Sequence, residues 1–149
     1  MMNGPGGSPN ARGALLVVVL FVLGLLTSST GVYFMLLRPP LLPEDSRFIG
    51  LGTDAAPEAL ARWLSIVFRT WGGFLVGFGL SLLGLAGYFY ERRELWLRLG
   101  TSVGLLFAFG SFLASNIQLH SDFLWFIALL FIGAFAAAVL LASGDRSAH

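Results

Sequence analysis

The densest group of ionisable side chains lies at residues 42–50, LPEDSRFIG, where Glu44, Asp45 and Arg47 stand close together. Two carboxylates beside a cation could bind a polar ligand, or could form ion pairs that fix a loop. Arg69, at the edge of the next apolar run, is the candidate partner. A charge at such a depth has to pair, reach water or extend to lipid headgroups. Three interpretations follow: contact of Arg69 with lipid phosphates, pairing of Arg69 with Glu44 or Asp45, and a polar cap over a ligand cavity.

A second polar set falls late in the third apolar run. Ser111 and Ser115 are four residues apart and share a helix face, so that they could line a cavity with Arg69. Hydroxyl groups in lipid usually bond to the backbone of their own helix or to a neighbouring helix, which is the alternative. His120 and Asp122 follow, and a histidine near a carboxylate is the minimum for acid–base chemistry. Both fall in a short turn where polar residues are expected, so we predict no catalytic residue there.

The motifs of metal, thiol and nucleotide sites are missing from the sequence. It has no cysteine and only two histidines, and His149 is the last residue. Neither HxxxH nor HExxH spacing occurs. Paired glycines such as Gly72 and Gly73 lie inside a predicted helix, where they cannot form a phosphate-binding loop. A net charge of +1 provides no basic field for nucleic acid. We therefore predict no cofactor, no metal and no nucleic-acid partner, and we favour a protein that is not an enzyme.

Composition places these residues in a membrane protein. Of the 149 residues, 56% are hydrophobic and only 11% are charged, whereas charged residues make up about 25% of soluble domains. The mean hydropathy is +0.81. Such a chain has too few polar groups to cover a surface in water, and a surface that faces lipid accounts for this.

Four apolar runs predict an all-α protein, a bundle of four transmembrane helices. Each run has about the 20 residues that a helix needs to cross about 30 Å of hydrocarbon. The first run is longer than the core of a signal peptide and no small-x-small cleavage pattern follows it, so we predict that it is retained. The predicted spans are residues 14–37, 71–90, 99–117 and 123–142, within one domain of residues 14–143, between a disordered tail of residues 1–13 and a tail of residues 144–149.

The first loop is predicted to hold a short helical turn at the membrane surface. Pro39 and Pro40 end the first helix, because proline disfavours helical geometry in the residue before it. Pro43 suits the first position of a helix, and the two acids that follow it favour the positive end of the helix dipole. Asp54 and Pro57 then mark the start of the next helix.

Small residues recur every four positions in the predicted spans, a pattern that lets helix backbones approach closely in lipid. Packing inside one bundle is one interpretation, and association between copies through such a face is the other. The rows are Gly24 and Ser28; Gly73, Gly77 and Ser81; Gly100, Gly104 and Ala108; and Gly133 and Ala137.

Charge in the loops predicts the orientation. Arg92, Arg93 and Arg98 cluster in the short second loop, and basic residues in short loops mark the cytoplasmic side. We therefore expect a multi-pass protein of the plasma (inner) membrane of a bacterium, with both termini in the cytoplasm and the first loop outside.

The segments TGVYFMLLRPPLLPEDSRFIG and LARWLSIVFRTWGGFLVGFGL resemble an arrangement in small bacterial four-helix membrane proteins of the DoxX-like group. The resemblance covers roughly residues 24–90 and implies a four-helix integral membrane protein. It also implies a link to redox and quinone-associated complexes. The chain has no cysteine, so no residue of this sequence supports that link. No functional residue is carried over from it.

These patterns leave several functions open. We expect a non-enzymatic accessory or scaffold protein, or a bundle that binds a lipid-like ligand, with membrane lipids, a larger membrane complex or further copies of the chain as partners. The alternatives are a quinone- or lipid-associated redox accessory or enzyme, and a small oligomeric transporter or channel. A hydrated cavity lined by Ser111, Ser115 and Arg69 would indicate ligand binding, whereas a dry, filled bundle would indicate a scaffold.

Overall fold

A computed structural model describes residues 11–50, 57–91 and 94–143, and these residues form helices without any strand. The four long helices have the length and the hydropathy to cross a membrane, so the protein is a multi-pass membrane protein. The predicted all-α four-helix bundle with a short extra helix in its first loop is thus confirmed. The helices are α1 (Ala11–Leu36), α2 (Pro43–Ile49), α3 (Glu58–Glu91), α4 (Leu95–Gln118) and α5 (Leu124–Ala142).

Helix boundaries differ from the predicted ones at α1 and α4. α1 is already helical at Ala11, where the described residues begin, whereas the predicted span starts at residue 14. α3 is one helix of 34 residues, in which the polar first part and the apolar span are continuous, as the helix start predicted near Asp54 and Pro57 implies. Arg98, predicted in the second loop, lies in the first turns of α4 and is buried. Residues 1–10 and 144–149 of the predicted tails lie outside the described part.

α1 is the central helix of the bundle. It packs against α3 on one side and α5 on another, and α4 packs against α5. The side chains that fill the space between these helices are almost all leucine, alanine or phenylalanine. The most buried of them are Leu20 and Leu23 from α1, Leu82 and Ala86 from α3, Leu105 and Phe109 from α4, and Leu130, Ala134 and Ala137 from α5.

Glycine sets the close approach of α1 and α3. A Cβ atom added to Gly72 would lie 2.6 Å from the carbonyl oxygen of Gly31, and one added to Gly24 would lie 2.9 Å from that of Gly79. Such distances leave no room for a side chain. The two backbones are therefore in contact at two levels, and α1 and α3 form the tightest pair of the bundle.

The middle of the bundle can be located from α5. Its 19 residues measure about 28 Å, close to the thickness of the hydrocarbon core. Gly133, at the middle of α5, lies against Leu23, and the next residue, Gly24, faces Gly79 of α3. Gly79 therefore lies near the midplane of the membrane.

From this level α3 extends well out of the hydrocarbon. Arg69 is ten residues before Gly79, about 15 Å along the helix, which places it at the edge of the core. The first turns of α3, from Glu58 up to Arg69, continue about 16 Å further. This first part of α3 thus forms a helical extension beyond the level of the hydrocarbon core that α5 sets.

Candidate functional site

Three of the polar residues singled out in the sequence, Glu44, Asp45 and Arg47, lie at one end of the bundle. This end is formed by α2 and the α4–α5 turn (residues 119–123), and we call it the α2 end. α2 starts with Pro43 in its first turn, and Asp45 Oδ2 accepts a hydrogen bond from the backbone nitrogen of Leu42 at 2.9 Å. The helix stops at Gly50, whose φ of 68° is the left-handed conformation that glycine tolerates best. Local sequence chemistry therefore fixes both ends of this helix.

Arg38 is the centre of the polar cluster. Its Nη2 donates a hydrogen bond to Asp45 Oδ2 at 2.7 Å, and its Nη1 donates to the carbonyl oxygen of Pro39 at 3.1 Å. The guanidinium carbon lies 3.5 Å from the centre of the Phe68 ring and 5.3 Å from that of Phe34. The side chain is only 6% exposed. Arg38 thus joins the end of α1 to both α2 and α3.

The expected pairing of Arg69 with Glu44 or Asp45 does not form; Asp45 binds Arg38 instead. Phe68 faces Arg38, and consecutive residues of a helix point about 100° apart, so Arg69 is directed away from the cluster. Arg69 is exposed, at the depth where it can reach lipid headgroups. Arg38 is also only seven residues from Asp45, so a short loop suffices to bring them together.

The remaining charges of α2 turn toward the α4–α5 turn. Glu44 is 4% exposed, and Ser121 Oγ lies 3.5 Å from its Oε1, at the limit of a hydrogen bond. Arg47 pairs with Asp122 at 2.7 Å, and both side chains are more than half exposed. A pair so open to solvent contributes little to stability. α2 therefore spans the end of the bundle and ties the α1–α3 pair to the α4–α5 pair.

Arg38 and Ser121 belong to this cluster, although neither is among the site residues predicted from the sequence. A signal for Arg38 was present in the sequence, because it is the nearest cation that precedes Asp45 and it stands where two prolines turn the chain back. No signal in the sequence identifies Ser121, because its contact with Glu44 joins residues that are 77 positions apart.

Ser111 and Ser115 do not line a cavity with Arg69. Both are exposed on the surface of α4, and each hydroxyl donates to its own helix, to the carbonyl oxygens of Ala108 at 3.1 Å and of Ser111 at 3.0 Å. This is the usual way in which a hydroxyl group is satisfied in lipid. His120 is exposed in the α4–α5 turn. In the described segments no three acidic or histidine side chains come close enough to hold a metal ion.

The predicted small-residue rows divide into two groups. Gly133 is packed, because a Cβ atom added to it would lie 3.1 Å from Leu23 Cδ2. By contrast, a Cβ atom on Gly73, Gly77, Gly100 or Gly104 would meet nothing within 4 Å. Ser81 is exposed and Ala108 half-buried. α1 packs against the face of α3 that holds Gly72 and Gly79. The row of Gly73, Gly77 and Ser81 therefore points away from the bundle.

α3 and α4 remain apart along much of their length, and a cleft of about 260 Å³ lies between them. Phe78 and Leu82 of α3 form one wall, and Trp96, Thr101 and Leu105 are among the residues of α4 that form the other. We call this space the α3–α4 cleft. Its lining is almost entirely apolar.

Comparison with known proteins adds no further information about the site. The chain matches no protein-family model, and no curated protein and no solved structure is significantly similar to it. The resemblance to the DoxX-like group therefore stays a prediction, and the function has to be argued from the geometry alone.

Proposed function

We propose that this protein is a non-enzymatic membrane scaffold that associates laterally, through one face of α3, with α3 of a second copy. The supporting observation is an uninterrupted open row along that helix. Its members alternate by three and four residues, which is the spacing of the seam in paired helices. The row, which we call the α3 seam, consists of Trp63, Ile66, Thr70, Gly73, Gly77, Leu80 and Gly84, all of them exposed.

Within the membrane the α3 seam is shaped to receive another helix. A groove of about 440 Å³ runs along it, with Gly73 and Gly77 at its base and Phe74 and Phe78 beside it. The same chain shows what such glycines can do, because Gly72, one position away, lets α1 approach to backbone contact. The seam offers the same close approach to a helix outside this bundle.

Outside the membrane the α3 seam continues with large apolar side chains. Trp63 and Ile66 are each 60% exposed, and both lie in the extension that precedes Arg69. Measured from Arg69 along the helix, Ile66 and Trp63 lie about 5 and 9 Å further out, at or beyond the headgroups and outside the lipid tails. Burial of a large apolar side chain is favourable by about 1.5–3 kcal/mol. A helix that runs beside the whole of α3 would cover both side chains, which a lipid alone would not.

A second copy is the partner that best suits this surface. In a dimer with two-fold symmetry the same residues meet at the axis. Gly73 and Gly77 can face their counterparts without a clash because neither has a side chain. The seam contains no charged residue, so no like charges are brought together at the axis.

Cysteine cross-linking tests this proposal on a clean background, because the chain has no cysteine of its own. In vesicles, Thr70→Cys should form disulfide-linked dimers, and Phe107→Cys, on the outer surface of α4, should not. Gly77→Leu should abolish the cross-link at Thr70→Cys without loss of thermal stability. Absence of the Thr70→Cys dimer, or equal cross-linking from Phe107→Cys, would refute the proposal. Co-purification of another polypeptide, lost in Gly77→Leu, would replace the second copy by that subunit.

We further propose that the membrane is a bacterial inner membrane and that both termini face the cytoplasm. The support is the group of arginines near the α3–α4 connection, which the positive-inside rule places in the cytoplasm. No observation on the described residues specifically supports the redox or the transport alternative.

A further inference from the structure

α3 extends unequally on the two sides of the midplane. From Gly79 it continues for twelve residues, about 18 Å, to Glu91, but for 21 residues, about 32 Å, to Glu58 at its other end. α5, by contrast, measures about 28 Å in all. The α3 seam therefore begins inside the hydrocarbon and ends outside it. Its outer members meet whatever part of the bilayer lies at their level.

Ile66 is the seam residue that lies just outside the lipid tails. It is thirteen residues from Gly79, about 20 Å from the midplane, whereas Thr70 lies about 14 Å and Trp63 about 24 Å from it. The tails of a bilayer with a core of about 30 Å end about 15 Å from the midplane. The distance of about 5 Å that separates Ile66 from them is closed by longer lipids together with local thickening of the bilayer around an apolar side chain. Ile66 is therefore the first outer seam residue that a thicker bilayer covers.

The height of Ile66 relative to the rest of the bundle is fixed. Gly24 and Gly31 of α1 lie in backbone contact with α3 at two levels, so that α3 cannot slide along α1 when the bilayer changes. The lipid has to adjust instead, and its tails rise or fall along the extension. Arg69 does not oppose this adjustment, because its long, exposed side chain can extend outward to the headgroups.

We propose that bilayer thickness regulates self-association through the α3 seam, and that Ile66 is the residue that responds to it. The inference rests on the dimer proposed above. In a thin bilayer Ile66 lies among hydrated headgroups, so contact with the second copy removes it from water. In a thick bilayer the tails already cover Ile66 in the monomer, and apolar groups have no hydrophobic drive to associate within lipid. The contribution of Ile66 to the affinity of the dimer therefore falls as the bilayer thickens, whereas that of Trp63, about 5 Å further out, does not.

The test measures dimerisation of the full chain by energy transfer between copies labelled at His120→Cys. The vesicles consist of dimyristoleoyl, dioleoyl or dierucoyl phosphatidylcholine, which form progressively thicker bilayers. The readout is the factor by which Ile66→Ala weakens the dimer in each lipid. Because both proteins have the same spans, effects of thickness on the bundle as a whole cancel in this factor. We expect a factor of about ten in the thinnest bilayer and of less than about two in the thickest.

Trp63→Ala is the matched control and should weaken the dimer by the same factor in all three lipids. Gly77→Leu should abolish energy transfer in each of them, which verifies that the dimer uses the seam, and thermal unfolding verifies that every variant is folded. A constant factor for Ile66→Ala, in a dimer that forms, would overturn the dependence on thickness and leave the dimer standing. A decline shared by Trp63→Ala would overturn the role of Ile66. Absence of a dimer of the otherwise unmodified chain in all three lipids would refute the α3 seam itself, and this inference with it.

Discussion

Arg38 lies over the face of Phe68, with its guanidinium carbon 3.5 Å from the centre of the ring. The contact joins the end of α1 to α3 at the edge of the membrane. The same guanidinium donates a hydrogen bond from Nη2 to Asp45 of α2. A cation that is almost fully buried in this way is stabilised by the ring as well as by the carboxylate. The position of α2 over the bundle therefore depends on a residue that the helix itself does not contain.

Arg38→Ala and Asp45→Ala should destabilise the protein in a non-additive way. Each single variant leaves a buried group without its partner, which costs about 1–3 kcal/mol, so the double variant should lose less than the sum. Arg38→Lys should be less stable than the unmodified protein, because an ammonium group lacks the delocalised guanidinium plane with which arginine stacks on aromatic rings. The measurement is the free energy of unfolding in mixed micelles, titrated with a denaturing detergent.

Two other arginines serve as controls for this cycle. Arg69→Ala combined with Asp45→Ala should be additive, because no contact joins these residues in the structure. Arg47→Ala should change stability by less than about 1 kcal/mol, since its pair with Asp122 is exposed. Coupling between Arg69 and Asp45, or additivity of Arg38 and Asp45, would show that the cluster is assigned wrongly.

The contrast between Arg38 and Arg69 shows where sequence reasoning reaches its limit. Hydropathy located α5 to within a residue or two at each end, because a span must match the thickness of the hydrocarbon. It also predicted that the acids of α2 would stand at a helix start. It did not show which arginine they would meet, because that depends on the direction of each side chain around α3, and one residue of difference rotates a side chain by about 100°.

The glycines lead to a similar conclusion. Spacing identified Gly73 and Gly77 as a row that could pack, yet α1 packs on the neighbouring face that holds Gly72 and Gly79. Rows of small residues on two faces of one helix are equally good candidates in the sequence. Only the packing of α1 distinguishes the face that is used inside the bundle from the face that is left open.

This distinction predicts opposite effects of alanine at adjacent glycines. Gly72→Ala should destabilise the bundle by about 1–3 kcal/mol, because the new Cβ atom would overlap backbone atoms of α1 that cannot move aside. Gly73→Ala should be neutral or slightly stabilising, because its Cβ atom meets open space and alanine favours the helix. Thermal unfolding of the two variants under dilute, monomeric conditions provides the comparison. Equal losses would mean that α1 and α3 are not in backbone contact at this level.

Arg98 should contribute more to stability than any other arginine of the described spans except Arg38. It is buried, and its Nη2 donates to the carbonyl oxygen of Leu141, one of the last four carbonyls of α5, which lack a partner within the helix. Arg98→Ala should therefore cost about 1–3 kcal/mol. Arg62→Ala is the matched control, because its exposed pair with Glu58 should contribute only about 0.3–0.5 kcal/mol. The measurement is again a detergent titration, and equal effects of the two variants would contradict the role of Arg98.

The orientation can be decided with single cysteines at the two ends of the bundle. His120, in the α4–α5 turn, and Glu94, just before α4, are both exposed. If the arginines near the α3–α4 connection hold that end in the cytoplasm, a membrane-impermeant maleimide should label His120→Cys in intact cells and Glu94→Cys only after permeabilisation. Phe107→Cys, within the span of α4, should resist the reagent in both cases. The reverse pattern would place the termini outside and would mean that α2 and the extension of α3 project into the cytoplasm.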